Sequence, residues 1–368
     1  MKLHLVICGD EGMKKSFEEV FEDQTKYGTK VKTDEYCFSG THIIVDQGQG
    51  QIAGYTNRED GLFVDVPAIV FGDHTRVIKY VDAPFFLGAD GVKVLRCRFE
   101  NANYRYLYYA LKSTRIPNTG YNRHFKWLKE TQINYPAAER QAETVRILDG
   151  VMEVIGKRQQ QLYAYDDLIK ARFVEMFGDE SNPYQWPVIS VEDVANVSVG
   201  VVIKPAQYYT DAEHGIKAFR SLNIGPMTIK DGDWVYFSNE GNDKNAKSQL
   251  KENDLLIVRS GAPGTACVVP KQYEGCNAID IIIARPNTKQ INPYYLCTYT
   301  NMPHGKRQIE EGTGGAAQQH FNVGKYNKLR LMLPPMSLQK AFVDFIAQVD
   351  KSKSRRELNY KTMHRLAS

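Results

Sequence analysis

The chain writes part of itself twice, and no other feature limits its possible folds as much. His124-Phe125 returns as His320-Phe321 at an offset of 196 residues, and both pairs follow a polar, glycine-containing segment, 118–123 and 312–319. A short hydrophobic strand ending in proline comes next, with Pro136 matching Pro334 at an offset of 198. Gln141 and Gln339, then Leu168 and Leu366, keep that same offset. The order is preserved and the register drifts by only two residues, so a duplicated half with an internal pseudo-two-fold repeat is expected.

After each proline the pattern turns helical. Val145, Leu148, Met152, Ile155, Gln159, Leu162, Asp166, Ile169, Phe173 and Met176 alternate spacings of three and four until Gly178. That is a coiled-coil seam with polar residues at two of its positions. The second copy offers Phe342, Phe345, Val349, Ser352, Arg356, Asn359, Met363 and Leu366, polar in its C-terminal half. At ~1.5 Å per residue the two helices are about 60 and 45 Å long. The packing residues are expected to be Leu148, Met152, Ile155, Leu162, Ile169 and Phe173 on one helix, and Phe342, Phe345 and Val349 on the other. Gln159 and Asp166 are expected to pair with Arg356 and Asn359.

Around the helices, residues 1–136 and 179–335 carry short β-rich runs, among them His42–Asp46, Ala68–Phe71, Val92–Leu95, Leu255–Arg259 and Ala278–Ala284, bounded by Gly, Asn, Asp or Pro. The expected class is α+β: two domains with twisted β-sheets, 1–136 and 179–335, separated by helices over 137–178 and 336–368. A length of 368 residues suits two domains, and the apolar and charged fractions of 42% and 24% suit buried cores. The domains differ in sequence far more than the helices do, as if the helices did one job twice and the domains two related jobs.

Several chemistries lack their residues. No Gly-x-x-x-x-Gly-Lys-Ser/Thr occurs, which excludes an ATP-driven motor. An adenine methyltransferase needs Asn/Asp-Pro-Pro-Tyr/Phe and a glycine-rich cofactor turn; Asn292-Pro293-Tyr294-Tyr295 lacks the second proline and has no such turn upstream. Gly48 to Gly54 superficially suggests a dinucleotide loop, but no long helix opens after it. Six cysteines without a C-x-x-C pair fit reduced thiols, and eight histidines show no metal-ligand spacing. No metal site and no catalytic residues are therefore expected. The N-terminus lacks a signal-peptide pattern and no apolar stretch spans a bilayer, so the expected address is cytoplasmic.

Charge distribution points to an anionic polymer. Net charge is only +4, yet residues 101–129, 281–309 and 312–343 contain no Asp or Glu. Arg and Lys suit guanine edges, and Asn and Gln suit adenine. Loops that combine such residues with glycine are the candidate DNA contacts: Lys26, Tyr27 and Lys30; Gln47, Gln49, Gln51 and Asn57; His74, Thr75 and Arg76; and Asn118, Asn122, Arg123 and His124. In the second half they are Arg259, Ser260 and Thr265, following strand 255–258 much as the Gln/Gly loop follows 43–45, then Thr313, Gln318, Gln319 and His320. Tyr104 to Tyr109 interleaves aromatics with Arg105, and the favoured reading is a helix packing a tyrosine face on the sheet.

Three stretches carry a family likeness: Val70 to Arg76 with Phe85 to Leu95, Gln161-Leu162 with 166–178, and Gly312 to Phe321 with Pro334-Pro335. Together they resemble the specificity subunit of type I restriction-modification systems, over nearly the whole chain. The resemblance implies two target-recognition domains alternating with two spacer helices that pack antiparallel. It implies double-stranded DNA as a partner, with two methyltransferase subunits and the restriction (motor-nuclease) subunits. It also implies no cofactor in this chain, with S-adenosylmethionine, ATP and Mg belonging to the partners. The loss of the apolar seam after Val349 is a departure. On residues alone, the recognition portion of another DNA-modification system, or a non-catalytic scaffold binding RNA or acidic proteins, stays open.

Overall fold

The structure, a computed structural model, describes residues 13–88, 90–313 and 321–367. The chain divides into two compact units, residues 1–161 with 356–368, and residues 162–355.

Unit 1 begins with β1 (Met13–Ser16), α1 (Phe17–Val20) and β2 (Phe21–Asp23). Ser16 caps α1 in a reciprocal box with Glu19, whose carboxyl is held below its usual range by those hydrogen bonds. Then come β3 (His42–Val45), β4 (Gly54–Thr56), β5 (Ala68–Gly72), β6 (Ile78–Val81), β7 (Phe85–Leu87) and β8 (Val92–Cys97). One antiparallel sheet has the order β2-β8-β5-β6; a second has β4-β3-β7, with β3 and β7 parallel. β5 is buried throughout because it is covered on both sides. Ile69 and Phe71 face the cluster of Tyr106, Leu107 and Leu111, while Ala68 and Val70 meet Val45, Phe85 and Leu87. Those tyrosine-bearing residues belong to α2 (Tyr104–Lys112), capped by Asn103, so the aromatic run is helical and packs on the sheet as expected. α3 (Phe125–Lys129) and β9 (Gln132–Tyr135), antiparallel to β1, lead into α4 (Ala138–Phe177), whose first part belongs to this unit.

Unit 2 repeats the plan. Its strands are β10 (Val188–Ser190), β11 (Ala195–Val199), β12 (Tyr209–Thr210), β13 (Ile216–Phe219), the hairpin β14 (Ile224–Gly225) and β15 (Thr228–Ile229), and β16 (Val235–Phe237). After α5 (Asn239–Lys244) come β17 (Leu255–Val258), β18 (Ala266–Val268), β19 (Asn277–Ala278) and β20 (Ile281–Pro286). The main sheet runs β11-β20-β17-β18, and β12-β16-β13-β19 includes a parallel β13–β19 pair. Leu255 and Ile257 enter one core while Leu256 and Val258 enter another. Helices α6 (Pro293–Asn301, capped by Asn292), α7 (Pro303–Thr313) and α8 (Val323–Asn327) lead to β21 (Arg330–Met332), paired with β10, and to α9 (Met336–Ala367). The two domains thus differ in sequence but share the order of the main four-stranded sheet, while unit 2 adds β12 to its second sheet and the β14–β15 hairpin. The 259–265 turn joins β17 to β18 and so corresponds to the turn after β5, not to the Gln/Gly loop after β3.

The repeated Gln141 and Gln339 have one purpose: each buried amide donates to a proline carbonyl at the foot of its helix, Pro136 and Pro334, at 2.8 Å in both. Within unit 2, α4 and α9 pack antiparallel. Phe173 and Phe177 each lie 5.4 Å from the Phe342 ring, and further along Lys353 donates to Asp166 at 2.6 Å. One expectation is corrected here. Phe345 is only half-buried, with Arg172 above its ring, and Ile346 takes the core position, because the α9 seam steps Phe342, Ile346, Val349. Asp166 pairs with Lys353, and the expected pairing of Gln159 and Asp166 with Arg356 and Asn359 falls on side chains outside those described. Leu148, Ile155, Leu162 and Phe173 are buried, and Met152 and Ile169 pack partly buried against their cores. Among the described residues no helix is long and apolar enough to cross a membrane.

Candidate nucleic-acid interface

In unit 1, β2 and β5 run the same way because each is antiparallel to β8 between them. Loops leaving their C-terminal ends meet loops leaving β3 and β7. Gln47 is the brace. Its amide nitrogen donates to Asp90 O at 3.0 Å, its amide oxygen accepts from His74 N at 3.1 Å, and its backbone carbonyl accepts from the Thr75 hydroxyl at 2.6 Å. Glycine is needed where these loops touch. Gly91 has φ +92°, and a Cβ there would come within 2.8 Å of the Gln47 amide. The hairpin after β5 closes through Arg76 in the left-handed region, φ 62°, with its N–H on Gly72 O at 2.7 Å. Segment 118–124 is pinned to the same turn: Asp73 O accepts from His124 N at 2.8 Å, and Asp73 Oδ1 from Phe125 N at 2.8 Å.

Charge follows these contacts. Lys30 donates to Asp90 at 2.6 Å and holds that carboxyl below its usual range. Lys79, 3% exposed, faces Asp46 at 3.3 Å; burial pushes its ammonium down and Asp46 opposes that. A cleft of about 480 Å³ brings together Gln49, Gln51, Thr75, Arg76, Lys79 and Lys112. Lys26, Tyr27, Asn118, Asn122 and Arg123 are exposed at the same end. Asn57 is exposed too, but its side-chain oxygen accepts from Thr41 N at 3.0 Å and ties down its own hairpin. Gln51 likewise donates to Tyr80 O at 2.6 Å.

Some expected contacts lie inside. His124 is fully buried, its Nδ1 3.0 Å from Asp73 O and its Nε2 3.4 Å from the Thr119 hydroxyl, so its ring is a strut beneath the surface. Thr265 is buried and accepts from Lys306 at 3.2 Å. Arg259 is 15% exposed, ion-paired with Asp280 and donating to Phe321 O at 3.1 Å, which anchors the strand end. Ser260 is half-buried beside it. The Thr313 side chain, Gln318, Gln319 and His320 lie outside the described residues.

Other residues escaped the sequence reading. Tyr121, 87% exposed, stacks on His74 at 4.7 Å and 9°, presenting an aromatic face at the loop end. In unit 2, Val202 and Ile203 after β11 and Leu222 after β13 are exposed. Gly-Val-Val-Ile-Lys reads as strand, which hid the first two; strand equivalence was the only signal that could find them.

A loop cluster rich in Lys, Arg, Asn and Gln at one end of the unit 1 sheets, on a main-sheet order that unit 2 repeats, is the surface of a recognition protein. Two family matches give the class its name: the chain fits the family described as "Type I restriction modification DNA specificity domain" over residues 10–164 and again over 169–360, and it belongs to that family. It is thus a DNA sequence-specificity subunit of the type I restriction-modification class, a non-catalytic chain. The fold is similar to that of a type I restriction-modification S subunit from M. genitalium, 14% identical with a TM-score of 0.53, covering 96% of this chain and 93% of that one. A structure described under complex assembly and conformational transition of the type I R-M system is 16% identical with a TM-score of 0.55, covering 97% and 96%.

Proposed function

We propose that each unit reads one half of a bipartite, non-palindromic duplex target, and that this chain directs two methyltransferase subunits and the motor-nuclease subunits to it in the cytoplasm. The recognition domains are residues 1–136 and 179–335, and the spacers 137–178 and 336–368. The partners supply S-adenosylmethionine, ATP and Mg chemistry, and the methyltransferases extrude and modify an adenine in each half-site. The observation that carries this reading is the paired loop cluster, one strand order used twice with unlike loops. In unit 1 the base contacts are drawn from Lys26, Tyr27, Lys30, Gln49, Gln51, Thr75, Arg76, Asn118, Asn122 and Arg123, with Gln47 and His124 positioning them. In unit 2 they are drawn from Ser260, Thr313, Gln318, Gln319 and His320.

Helix α4, 40 residues long, sets the spacing between half-sites in this reading. Inserting four residues near Lys157 adds about 6 Å. Methylome sequencing of cells carrying that variant should return the same two half-sites with a longer unread spacer. Altered half-sites with an unchanged spacer would refute the proposal.

A further inference from the structure

Ile203 is 79% exposed and Val202 50% exposed on the loop that leaves β11. The loop is fixed rather than loose: Val201 N donates to Ala278 O at 2.8 Å before the tip, and Gln207 N to Lys204 O at 3.1 Å after it. Lys204 sits between, exposed and left-handed at φ 44°, directly ahead of Pro205. Residues before proline favour extended backbone, so this turn is held by its surroundings against local preference. A rigid stem presenting two adjacent aliphatic side chains to water has no use in the core of unit 2.

The position of the loop supplies the use. β2 and β11 hold the same edge place in their four-stranded sheets. After each, the chain crosses to a parallel bridge with the short strand segment of the second sheet, Lys30 with Leu87 and Val201 with Ile279. On the unit 1 loop, ahead of its bridge where Ile203 follows its own, stands Tyr27, 63% exposed, with the Lys26 ammonium 4.8 Å from its ring centre. The loop leaving each edge strand therefore carries an exposed apolar side chain next to a lysine, Tyr27 after Lys26 and Ile203 before Lys204. On the edges of duplex DNA, the apolar group that distinguishes a base pair in the major groove is the C5-methyl of thymine.

We propose that Ile203 is a specificity-determining residue of the second half-site, packing on a thymine methyl group in the major groove while Lys204 contacts a neighbouring phosphate. This rests on the reading of the loop ends as base-contacting surfaces. The test uses the native complex, full chain with its partner subunits, on synthetic duplexes carrying the target identified by methylome sequencing. Each thymine is replaced singly by deoxyuridine, which deletes one methyl and nothing else. Wild type loses about four-fold in affinity at one second-half-site position, the effect of one buried methyl. Ile203→Ala shows no loss there, accepts other bases at that position alone, and melts as wild type does because the side chain is exposed.

Tolerance of deoxyuridine at every position, a second half-site without thymine on either strand, or an Ile203→Ala loss equal on all duplexes (an intercalating wedge or plain backbone contact) would each overturn the assignment. A complex that discriminates no duplex at all would instead bring down the underlying reading of the loop ends.

Discussion

The loop ends of units 1 and 2 are the same construction with opposite surface chemistry. Unit 1 shows amides, lysines and the Tyr121–His74 stack around the Gln47 brace. Unit 2 shows Val202, Ile203 and Leu222, with its arginine drawn inward onto Asp280 and Phe321. Beneath both, the central strands are buried on two faces, so substitution there opens cavities or overpacks the core. Substitution is best tolerated in the loops, where surface changes cost little stability. The scaffold sets where a base is read, and the loops set which base, so a duplicated chain can read two unlike half-sites.

The comparison is tested hardest where helix meets core. Phe173 is fully buried and its ring contacts Phe177, Tyr295, Tyr299, His304 and Phe342. On the same helix in unit 1, Leu148 is 3% exposed in the cluster with Tyr106 and Ile133. Phe173→Ala should cost about 4 kcal/mol and Leu148→Ala about 3 kcal/mol. Calorimetry of the two variants should lower different transitions, since chains with two cores need not unfold in one step. Equal movement of every transition in both variants would show that the units are not separate cores.

Much of this was legible in the sequence because it is periodic. The duplication and both long helices follow from offsets of 196 and 198 and from spacings of three and four, and the central strands from short β-rich runs bounded by Gly, Asn, Asp or Pro. The misses have physical causes. Phe345 and Ile346 both fit an apolar seam, and only packing against α4 decides for Ile346. His124 looked like a loop contact because nothing in its neighbours shows that Asp73, 51 residues earlier, would bury it. The shared strand order escaped notice because unlike side chains can satisfy the same two-faced burial. The candidate site was legible as loops and basic runs. Its aromatic and aliphatic tips were not, since an exposed Ile203 is indistinguishable by sequence from a buried one.

A smaller effect probes the chemistry of the unit 1 surface itself. Tyr121 contributes no burial to a core, yet its ring lies flat on His74. If that platform stacks on a base, Tyr121→Ala should weaken binding of the native complex about ten-fold, within the ~1–3 kcal/mol typical of base–aromatic stacking. Tyr121→Phe should retain binding, and preferences in the half-site read by unit 2 should stay as they were. Binding titrations on duplexes varied in one half-site at a time separate these outcomes. An equal weakening on duplexes of every sequence would make Tyr121 a backbone contact instead.

The smallest expected effect is a pH dependence belonging to unit 2. Each unit buries a histidine beside its loop supports, but in different states of satisfaction. Both ring nitrogens of His124 lie within 3.4 Å of a partner, Asp73 O and the Thr119 hydroxyl. His304, 7% exposed, packs edge-on against Tyr299 at 4.3 Å, and its Nε2 has no protein partner among the described residues. Burial pushes the His304 pKa below the ordinary 6.5; Glu180 and Asp179 pull it back up, and Arg307 pushes it further down. Below 6.5 the unfolded chain therefore takes up a proton that the folded unit resists. Stability from the neutral ring is full above 6.5, falls as pH drops toward the folded-state pKa, and levels off below it. Between about pH 7 and about pH 5 the unit 2 transition of wild type should fall further than that of His304→Gln, with carboxylates common to both cancelling in the difference. Identical pH profiles for the two proteins would show that the ring is already hydrated or paired in the folded state.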